Sequence, residues 1–470
     1  MLKSGSLVFA ALVTALAILM IAHPAAGATI ELLSGQKMSG KIVGENDKTV
    51  NLSMEMDGAA MTMPLQKSKI HAITDDKGVR RVINAKTPKP VRRPRPTVKK
   101  KEPKPEPKPK NDWPCWRGPN YNGISLEKGM KSSWTAANAP KVLWTKQIGA
   151  GYSCVSIADG KAYTMGNDGS QDTVWCFDAK TGTEVWKQSY PCGTGGYPGP
   201  RATPTVSDGM VFTHSRKGAL HAWDAKTGKK LWEKNAANEV GAKRPGWDYA
   251  SSPFIMGNML VLNLGKSGAA FNKRTGAVLW KTGGGKSSYA TAVPVKIQGR
   301  DTLLIFGATG LFGVEAASGK QMFNYAWTTS HDVNCADPIM KGDKVFISTN
   351  YGHGCALVKV TASSAVKVYE SKSMMNHFNS CVLVGDYLYG PNNAELKCID
   401  FATGSEKWKH RGLSKGSLIV VDGKLVTLSQ GGLLAVAEAN PSAYKELGQL
   451  KILEARCWTA PSYSNGLLYA

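Results

Sequence analysis

The sequence has no closely spaced cysteine pair and no evident catalytic constellation. Its nine cysteines include no C-x-x-C or C-x-x-x-C spacing and no two are adjacent, so neither a zinc site nor a vicinal disulfide is supported. No Ser-His-Asp arrangement and no pair of carboxylates stands out. One or two disulfides between distant cysteines stay open, because the sequence does not choose the pairs.

The N-terminal apolar run has no cysteine after it, which argues against an acylated lipoprotein anchor. Lys3 precedes the run "LVFAALVTALAILMIA" (7–22), and "AGA" (26–28) supplies small residues for cleavage. This pattern predicts a signal peptide over residues 1–28. The alternative is a retained membrane anchor. We expect cleavage and export, which leaves a soluble protein in a periplasmic or extracellular space.

Charge is unevenly distributed along the chain. Charged residues are 20% of the sequence and the formal net charge is +24, of which residues 86–110 alone carry +9 with eight prolines. Such a segment is typical of an extended linker. It is either a solvated spacer or attracts an anionic envelope component such as lipid, cell-wall polymer or acidic protein. No nucleic-acid partner is expected.

Residues 29–85 alternate apolar and polar side chains between turn signals. About five short strands in this range predict a small β-barrel of SH3 or Sm type. The pattern L-x-x-G-x-x-x-x-G-x-I resembles the Sm motif, which accompanies RNA binding elsewhere. Two glycines in a hairpin are weak evidence for that function, and we favour a small adaptor barrel.

The rest of the chain, residues 111–470, is repetitive. The stretch "FDAKTGTEVW" (177–186) recurs as "WDAKTGKKLW" (223–232), and its turn glycines stand at 182, 228, 276 and 319, spaced by 46, 48 and 43 residues. That period is typical of a four-stranded propeller blade. The Asp predicts an Asx-turn, the Gly tolerates a positive φ, and the aromatic residue fills the wedge between blades.

A second pattern, a strand–turn–strand unit such as "ATPTVSDGMVF" (202–212), occurs eight times, which predicts an eight-bladed, all-β propeller. Trp144 in "PKVLWTKQI" (140–148) predicts an outer strand that completes blade eight and closes the ring. Because the sequence reaches Ala470 midway through the second strand of that blade, we expect the last blade to be incomplete.

The A-K-T-G-x-x-x-W repeats resemble those of PQQ-like (pyrroloquinoline quinone repeat) β-propellers, a family that includes quinoprotein dehydrogenases and BamB-like proteins. "DWPCWRGPNYNGIS" (112–125) and "YPGPRATP" (197–204) resemble exported PQQ-like proteins of the planctomycete type. The resemblance covers residues 111–470 and implies the fold.

For activity, the resemblance implies two alternatives. Quinoproteins imply a cofactor near the axis, a calcium ion, a catalytic Asp, a Trp floor and often a disulfide of adjacent cysteines. This chain has no adjacent cysteines and no clear Glu, Asn and Asp calcium set, so PQQ and calcium are not supported and we expect no cofactor. BamB-like proteins imply a non-enzymatic scaffold.

Propeller geometry places a site where the loops that precede inner strands, together with the loops between second and third strands, emerge on one face. Eleven candidate binding residues lie in them: Tyr197, Arg201, Trp247, Tyr249, His331, Asp332, Asn334, His353, His377, Lys415 and Trp458. Three of these are histidines on different blades, and we expect no metal site there.

The leading hypothesis is an exported, non-enzymatic scaffold that binds a protein or small ligand on this loop face. The main alternative is a PQQ-dependent quinoprotein dehydrogenase or a PQQ-binding protein. A third is a binder of cell-envelope polymer that acts through the basic linker.

Overall fold

The structure is a computed structural model that describes residues 27–34, 36–56, 59–84, 111–134, 138–454 and 456–470. The predicted signal peptide, apart from its last two residues, and the predicted linker lie outside these ranges. The chain divides into two compact units, residues 1–105 and 106–470. Each is described by itself.

The first unit is one antiparallel sheet in which β2 pairs with β1 and β3, and β1 also pairs with β5. Its six strands, in the spatial order β4-β3-β2-β1-β5-β6, are β1 (Ala28–Leu32), β2 (Lys37–Glu45), β3 (Thr49–Met56), β4 (Ala59–Gln66), β5 (Ile70–Thr74) and β6 (Arg80–Val82), with a 3-10 turn at Lys67–Lys69. Ile30, Val50, Leu52, Ile70 and Ile73 form its buried core. The outer strands β4 and β6 do not pair with each other in the described ranges, so the sheet is open and the predicted barrel is not confirmed.

The second unit is a series of antiparallel sheets whose strands follow one another in chain order, which confirms the predicted all-β class. The first four sheets are, in order, β8 (Ser156–Ala158), β9 (Lys161–Asn167), β10 (Gln171–Asp178) and β11 (Glu184–Pro191); β12 (Thr205–Ser207), β13 (Met210–His214), β14 (Ala219–Asp224) and β15 (Lys230–Asn235); β17 (Phe254–Met256), β18 (Met259–Leu262), β19 (Ala269–Asn272) and β20 (Val278–Lys281); and β22 (Val293–Ile297), β23 (Arg300–Gly307), β24 (Gly310–Glu315) and β25 (Gln321–Ala326).

Three more sheets have the same order, and the eighth has two strands. They are β26 (Ile339–Lys341), β27 (Lys344–Thr349), β28 (Gly354–Val360) and β29 (Ala365–Ser371); β30 (Val382–Val384), β31 (Tyr387–Asn392), β32 (Glu395–Asp400) and β33 (Glu406–Arg411); β34 (Ser417–Val421), β35 (Lys424–Leu428), β36 (Leu433–Glu438) and β37 (Glu446–Lys451), which β7 (Ile124–Ser125) extends; and β38 (Ser462–Ser464) with β39 (Leu467–Tyr469). Outside these sheets lie the helix α1 (Ala236–Val240) and the parallel pair β16 (Ala242–Lys243) and β21 (Gly285–Lys286).

The repeated motif has the structure that its residues predict. Asp178 Oδ1 accepts hydrogen bonds from the Thr181 N–H at 2.9 Å and the Lys180 N–H at 3.1 Å, which is the Asx-turn. Gly182 has φ of +67°. Trp186 lies on the outer strand β11 and donates from Nε1 to the Ala225 carbonyl of the second sheet at 3.0 Å. These positions are explained by packing between sheets.

Hydrogen bonds at the starts of the inner strands link each sheet to the next. Hydroxyl groups of Ser156, Thr205, Ser417 and Ser462 donate to backbone carbonyls of the following sheet. The remaining links are Ser252 N–H to Thr291, Thr291 N–H to Asp337, Asp337 N–H to Ser380, and Asn379 to the Gly416 carbonyl. Ser462 of the eighth sheet donates to Val155 beside the first, so the succession of sheets returns to its start.

The prediction that residues 140–148 form an outer strand is wrong. Within the described ranges these residues have no strand pairing, and the eighth sheet there consists of β38 and β39. Trp144 nevertheless has the predicted wedge position. Its Nε1 donates to the Ala179 carbonyl at 3.1 Å, and its ring lies against Gly182 as Trp186 lies against Gly228.

Residues 112–125 cross between the inner strands of several sheets, and we call them the plug segment. Trp113 pairs with Ile157 of the first sheet, and Pro114 accepts from Val206 of the second. Tyr121 donates to Ile255 of the third sheet, Arg117 donates to Cys381 beside the sixth, and Ile124 pairs with Val420 of the seventh. The plug segment therefore lies among the inner strands of the second unit.

No disulfide joins any of the nine cysteines, all of which lie in the described ranges, and eight of them are buried. The disulfides that the sequence left open are therefore not formed in this structure. Buried free cysteines at such positions behave as small apolar side chains. Among the residues that the structure describes, no helix is both long and apolar enough to cross a membrane.

Acid is expected to destabilise the second unit through two buried histidines. Burial lowers the pKa of His214 and of His221 to about 4. Because both pKa values are depressed in the folded state, their stability contribution is present above the unfolded value near 6.5 and is lost as pH falls through 4. Each loss approaches about 3 kcal/mol. Urea unfolding at pH 7 and pH 4 measures it.

The matched variant is His221→Phe. The His221 ring lies between Tyr190 and Trp223, with ring centroids at 4.3 and 5.0 Å, so phenylalanine keeps the stack without a titrating group. This variant should lose part of the acid sensitivity. An unchanged pH dependence would contradict the assignment.

Candidate functional site

A cavity of about 210 Å³ lies where the segments that precede the inner strands come together. Segments before β8, β12, β17, β22, β26, β30 and β38 contribute to its wall, and one residue comes from the connection between β27 and β28. The lining residues are Trp116, Tyr152, Tyr197, Arg201, Trp247, Ala250, Ser252, Tyr289, Val333, Cys335, Asp337, Tyr351, His377, Phe378, Asn379 and Trp458.

A continuous series of aromatic rings forms much of the wall. Trp458 stacks on Tyr152 with centroids 5.3 Å apart, and it contacts Tyr197 at 5.4 Å and Phe378 at 4.7 Å. The series continues on one side to Trp247, 5.5 Å from Tyr197, and on the other through His377 to Tyr351. Such a wall offers apolar faces to a flat or apolar group.

The plug segment contributes Trp116 to the lining, and a hydrogen bond to Asp337 holds its indole in place. Trp116 Nε1 donates to Asp337 Oδ2 at 2.6 Å, and the other carboxylate oxygen accepts from the Thr291 N–H at 2.8 Å. Arg117 Nε lies 3.7 Å from Asp337 Oδ2, and both side chains are buried. Burial raises the pKa of Asp337, while Arg117 opposes that rise. The pair fixes this part of the cavity.

Arg201 gives the cavity a positive charge that has no ion-pair partner in the described ranges. Its guanidinium donates to the carbonyls of Gly196, Tyr197 and Gly199 at 3.0 to 3.3 Å. Within the described ranges it forms no ion pair, and the one carboxylate in the wall, Asp337, is already balanced by Arg117. Burial lowers the pKa of Arg201, but an arginine stays protonated at neutral pH. The cavity therefore favours an anion.

Two other polar groups of the wall are uncharged at neutral pH. Burial lowers the pKa of His377 to about 4, and its Nε2 lies 2.9 Å from the Tyr351 hydroxyl. Burial raises the pKa of the Cys335 thiol to about 12, so this thiol is a poor nucleophile. These two groups therefore contribute neither an imidazolium nor a thiolate to the wall at neutral pH.

The structure brings five of the eleven predicted site residues into the cavity wall: Tyr197, Arg201, Trp247, His377 and Trp458. They come from four different sheets. Lys415 does not line the cavity, but its charge helps to lower the pKa of His377. Arg456 lies over the Trp458 ring at 5.0 Å, which adds a second cation beside the wall.

The other five predicted residues have structural contacts outside the cavity. Tyr249 is buried in the core and lies against His214, and Asn334 is buried with both ends of its amide hydrogen-bonded. Asp332 forms an ion pair with Lys286. His353 packs on Trp327, and His331 contacts Tyr351 from outside the wall. In the described part of the chain no cluster of His, Cys, Asp or Glu is placed to hold a metal ion.

Other residues of the wall were not predicted from the sequence. Trp116 and Asp337 are 221 residues apart, and nothing in either local pattern links them. Tyr152 and Phe378 were also not predicted, although both lie in segments that precede inner strands, as most of the predicted residues do. That position was the available signal.

Comparison with known proteins agrees with this architecture. The family model described as "Outer membrane protein assembly factor BamB" matches residues 170–410. A solved structure of BamB from Moraxella catarrhalis is 14% identical with a TM-score of 0.50, and the alignment covers 66% of this chain and 90% of that one. At this identity the likeness shows the fold alone.

Two curated relatives are quinoproteins. A quinoprotein ethanol dehydrogenase of Pseudomonas aeruginosa is 29% identical over 181 residues, which cover 34% of this chain. The quinoprotein alcohol dehydrogenase PedH of Pseudomonas putida is 34% identical over 122 residues, which cover 25% of this chain. The matched regions span 28% and 20% of these relatives' own lengths.

A quinone cofactor with a calcium ion fits this cavity only in part. Aromatic faces and Arg201 suit a planar, carboxylated ring system. A calcium ion needs several oxygen ligands, whereas Asp337 is the one carboxylate of the wall, and it already lies beside Arg117 and accepts hydrogen bonds from Trp116 and Thr291. The residues present therefore fit the ring and do not fit the calcium.

Proposed function

Because this chain belongs to the family of the outer membrane protein assembly factor BamB and is a PQQ-like β-propeller protein, we propose that it is an exported, non-enzymatic scaffold. The eight linked sheets act as eight blades, and residues 29–85 form a small adaptor barrel. The basic segment 86–110 separates the barrel from the propeller (111–470) and can attract an anionic envelope component. After removal of residues 1–28 the protein works outside the cytoplasm.

The scaffold binds its protein partner or small ligand through the aromatic cavity. The observation that carries this proposal is the pairing of an aromatic wall with the unpaired Arg201. A flat or apolar group gains from contact with the rings, and an acidic group on it gains a charge-assisted hydrogen bond from Arg201. The expected ligand is therefore an apolar or aromatic group that carries a carboxylate or a similar anion, free or on a partner protein.

Pyrroloquinoline quinone without calcium is the probe for this proposal, because it is planar, aromatic and carboxylated. We expect saturable quenching of tryptophan fluorescence in the presence of a calcium chelator. Arg201→Met should weaken binding by about 10- to 100-fold, the effect of losing a hydrogen bond to a charged group. Trp458→Ala should weaken it by about tenfold, the effect of losing an aromatic contact.

Arg411→Met is the control, because Arg411 lies on the outer strand β33 and its side chain is exposed. It should bind the probe like the unmodified protein. If the probe fails to bind, or if Arg201→Met binds as tightly as Arg411→Met, the cavity is not the anion site that we propose.

The second candidate is a quinone-dependent dehydrogenase. The sequence matches to two quinoprotein alcohol dehydrogenases favour it. It predicts dye-linked oxidation of ethanol once the protein is saturated with the quinone and calcium. The scaffold proposal predicts binding of the quinone without turnover, because the wall has no free carboxylate to act as a base or to ligate calcium.

A further inference from the structure

Methionine is concentrated in the third and fourth strands of the first unit. Four of the ten residues from 54 to 63 are methionine, whereas the whole chain of 470 residues contains 16. Strand positions on a half-buried surface more often hold β-branched or aromatic residues. A strand signal alone therefore does not account for this concentration of thioether side chains.

The strand register places three of these methionines on one side of the sheet. Met54 of β3 pairs with Met61 of β4, and Leu52 of β3 pairs with Met63. Directly paired residues point to the same side of a sheet, with Cβ atoms about 4.5–5.5 Å apart, and so do residues two apart on one strand. Because Leu52 belongs to the buried core, Met54, Met61 and Met63 all lie on the core side.

Met38 of β2 supplies a fourth thioether on this side, since it pairs with Ile30 of the core. Gly40 lies two residues further along the same strand, and a methyl group added there would lie 3.0 Å from Met54 Cγ. The Met54 side chain therefore approaches β2 at the glycine. It has a methionine on each of the two neighbouring strands.

The four side chains differ in burial. Met38 and Met54 pack against the core cluster, and Met63 is half-buried. Met61 is 53% exposed. Packing in the core explains Met38 and Met54 but does not explain Met61. The group is thus sheltered on its core side and open at Met61, where an ion can enter.

The chemistry of the thioether decides which ion suits this group. Thioether sulfur is a soft, uncharged ligand that selects Cu(I). Zn²⁺ takes thiolate, imidazole or carboxylate ligands, and Ca²⁺ takes oxygen ligands. Several thioethers on one side of a sheet therefore favour a soft, monovalent ion over these divalent ions.

We propose that Met38, Met54, Met61 and Met63 form a binding site for one Cu(I) ion. The directly paired Met54 and Met61 provide two sulfur ligands. Met38 and Met63 complete the site, because the methionine side chain has three rotatable bonds and adapts to its surroundings. The site lies within the first unit, and the proposal does not rest on the function proposed for the aromatic cavity.

The test uses the full chain in the absence of oxygen, with the coloured complex of Cu(I) and bicinchoninate as the source of the ion. The unmodified protein should withdraw one equivalent of Cu(I), and an excess of Zn²⁺ should not change that amount. Met61→Leu should weaken the affinity for Cu(I) by about tenfold or more, since even the groups behind a metal ligand are worth about 10- to 100-fold. Adding Met54→Leu should weaken it further.

Met340→Leu is the matched control, because Met340 is a half-buried methionine on β26 of the second unit. It should bind Cu(I) like the unmodified protein. Leucine keeps the apolar volume of methionine, so the variants should unfold at free energies within about 1.5 kcal/mol of the unmodified chain.

X-ray absorption at the copper edge identifies the ligand atoms, and we expect sulfur alone. Failure to withdraw Cu(I), or copper bound through nitrogen, would overturn the proposal. So would equal affinity of Met61→Leu and Met340→Leu, which is the result expected if the cysteines hold the copper and the methionines make only apolar contacts.

Discussion

Replacing Arg117 by methionine should lower the free energy of unfolding by about 3–5 kcal/mol, the cost of leaving a buried charge without its partner. Arg117 lies 3.7 Å from Asp337 with both side chains buried, and it also donates to the Cys381 carbonyl at 2.8 Å. Urea unfolding measures the loss. Because the same pair holds Trp116, affinity for the quinone probe should fall as well.

The loss should depend on pH with a defined sign. Burial raises the pKa of Asp337 in the folded state, and Arg117 opposes this, so the variant raises that pKa further. A carboxyl with a raised folded pKa binds more protons when folded, and its penalty shrinks as pH falls. The destabilisation by Arg117→Met should therefore be smaller at pH 5 than at pH 7.

Two control variants isolate the cause. Arg411→Met removes an arginine from an exposed ion pair with Glu395 and should cost less than about 1 kcal/mol. The double variant Arg117→Met with Asp337→Asn removes both charges and should recover part of the loss. If the single variant costs no more than Arg411→Met, the buried pair does not hold the plug segment.

Replacing Gly228 by alanine is expected to cost more than its backbone conformation alone explains. Gly228 has φ of +72°, and a methyl group there would lie 2.7 Å from Trp186 Cδ2. A left-handed residue other than glycine costs about 1–2 kcal/mol, and crowding in a packed interface adds about 1–3 kcal/mol. Thermal or urea unfolding measures the sum.

Gly209 is the matched control for this substitution. It has the same φ of +72°, and no atom lies within 4 Å of an added methyl group. Gly209→Ala should therefore show the backbone cost only. Equal losses for the two variants would contradict the packing of each outer-strand tryptophan against the turn of the next sheet.

The repeats made the sheets of residues 111–470 predictable, because each motif determines its own local structure. Asp178, Gly182 and Trp186 act within one turn and one strand, so their spacing alone predicts the Asx-turn and the wedge. Of the cavity wall, only residues in the loops that precede inner strands could be predicted. Trp116 was not predicted as a site residue, because its partner Asp337 is 221 residues away in the sequence.

Two predictions depended on which strands pair with each other. One of them failed and the other stayed open. A strand is assigned only where a neighbour pairs with it, and in the described part of the chain no strand pairs with residues 140–148, although their apolar pattern is that of a strand. In the first unit, alternation predicted strands, and six are present. Closure into a barrel depends on contacts between β4 and β6, which alternation does not encode.

The central claim is that the aromatic cavity of the propeller binds an anionic, flat or apolar group. The most direct measurement is an experimental electron-density map of the chain crystallised with pyrroloquinoline quinone. We predict planar density within the ring wall, in contact with Trp116, with an acidic group at hydrogen-bonding distance from Arg201. A cavity that holds only solvent, in a crystal where the probe is bound elsewhere, would contradict the claim.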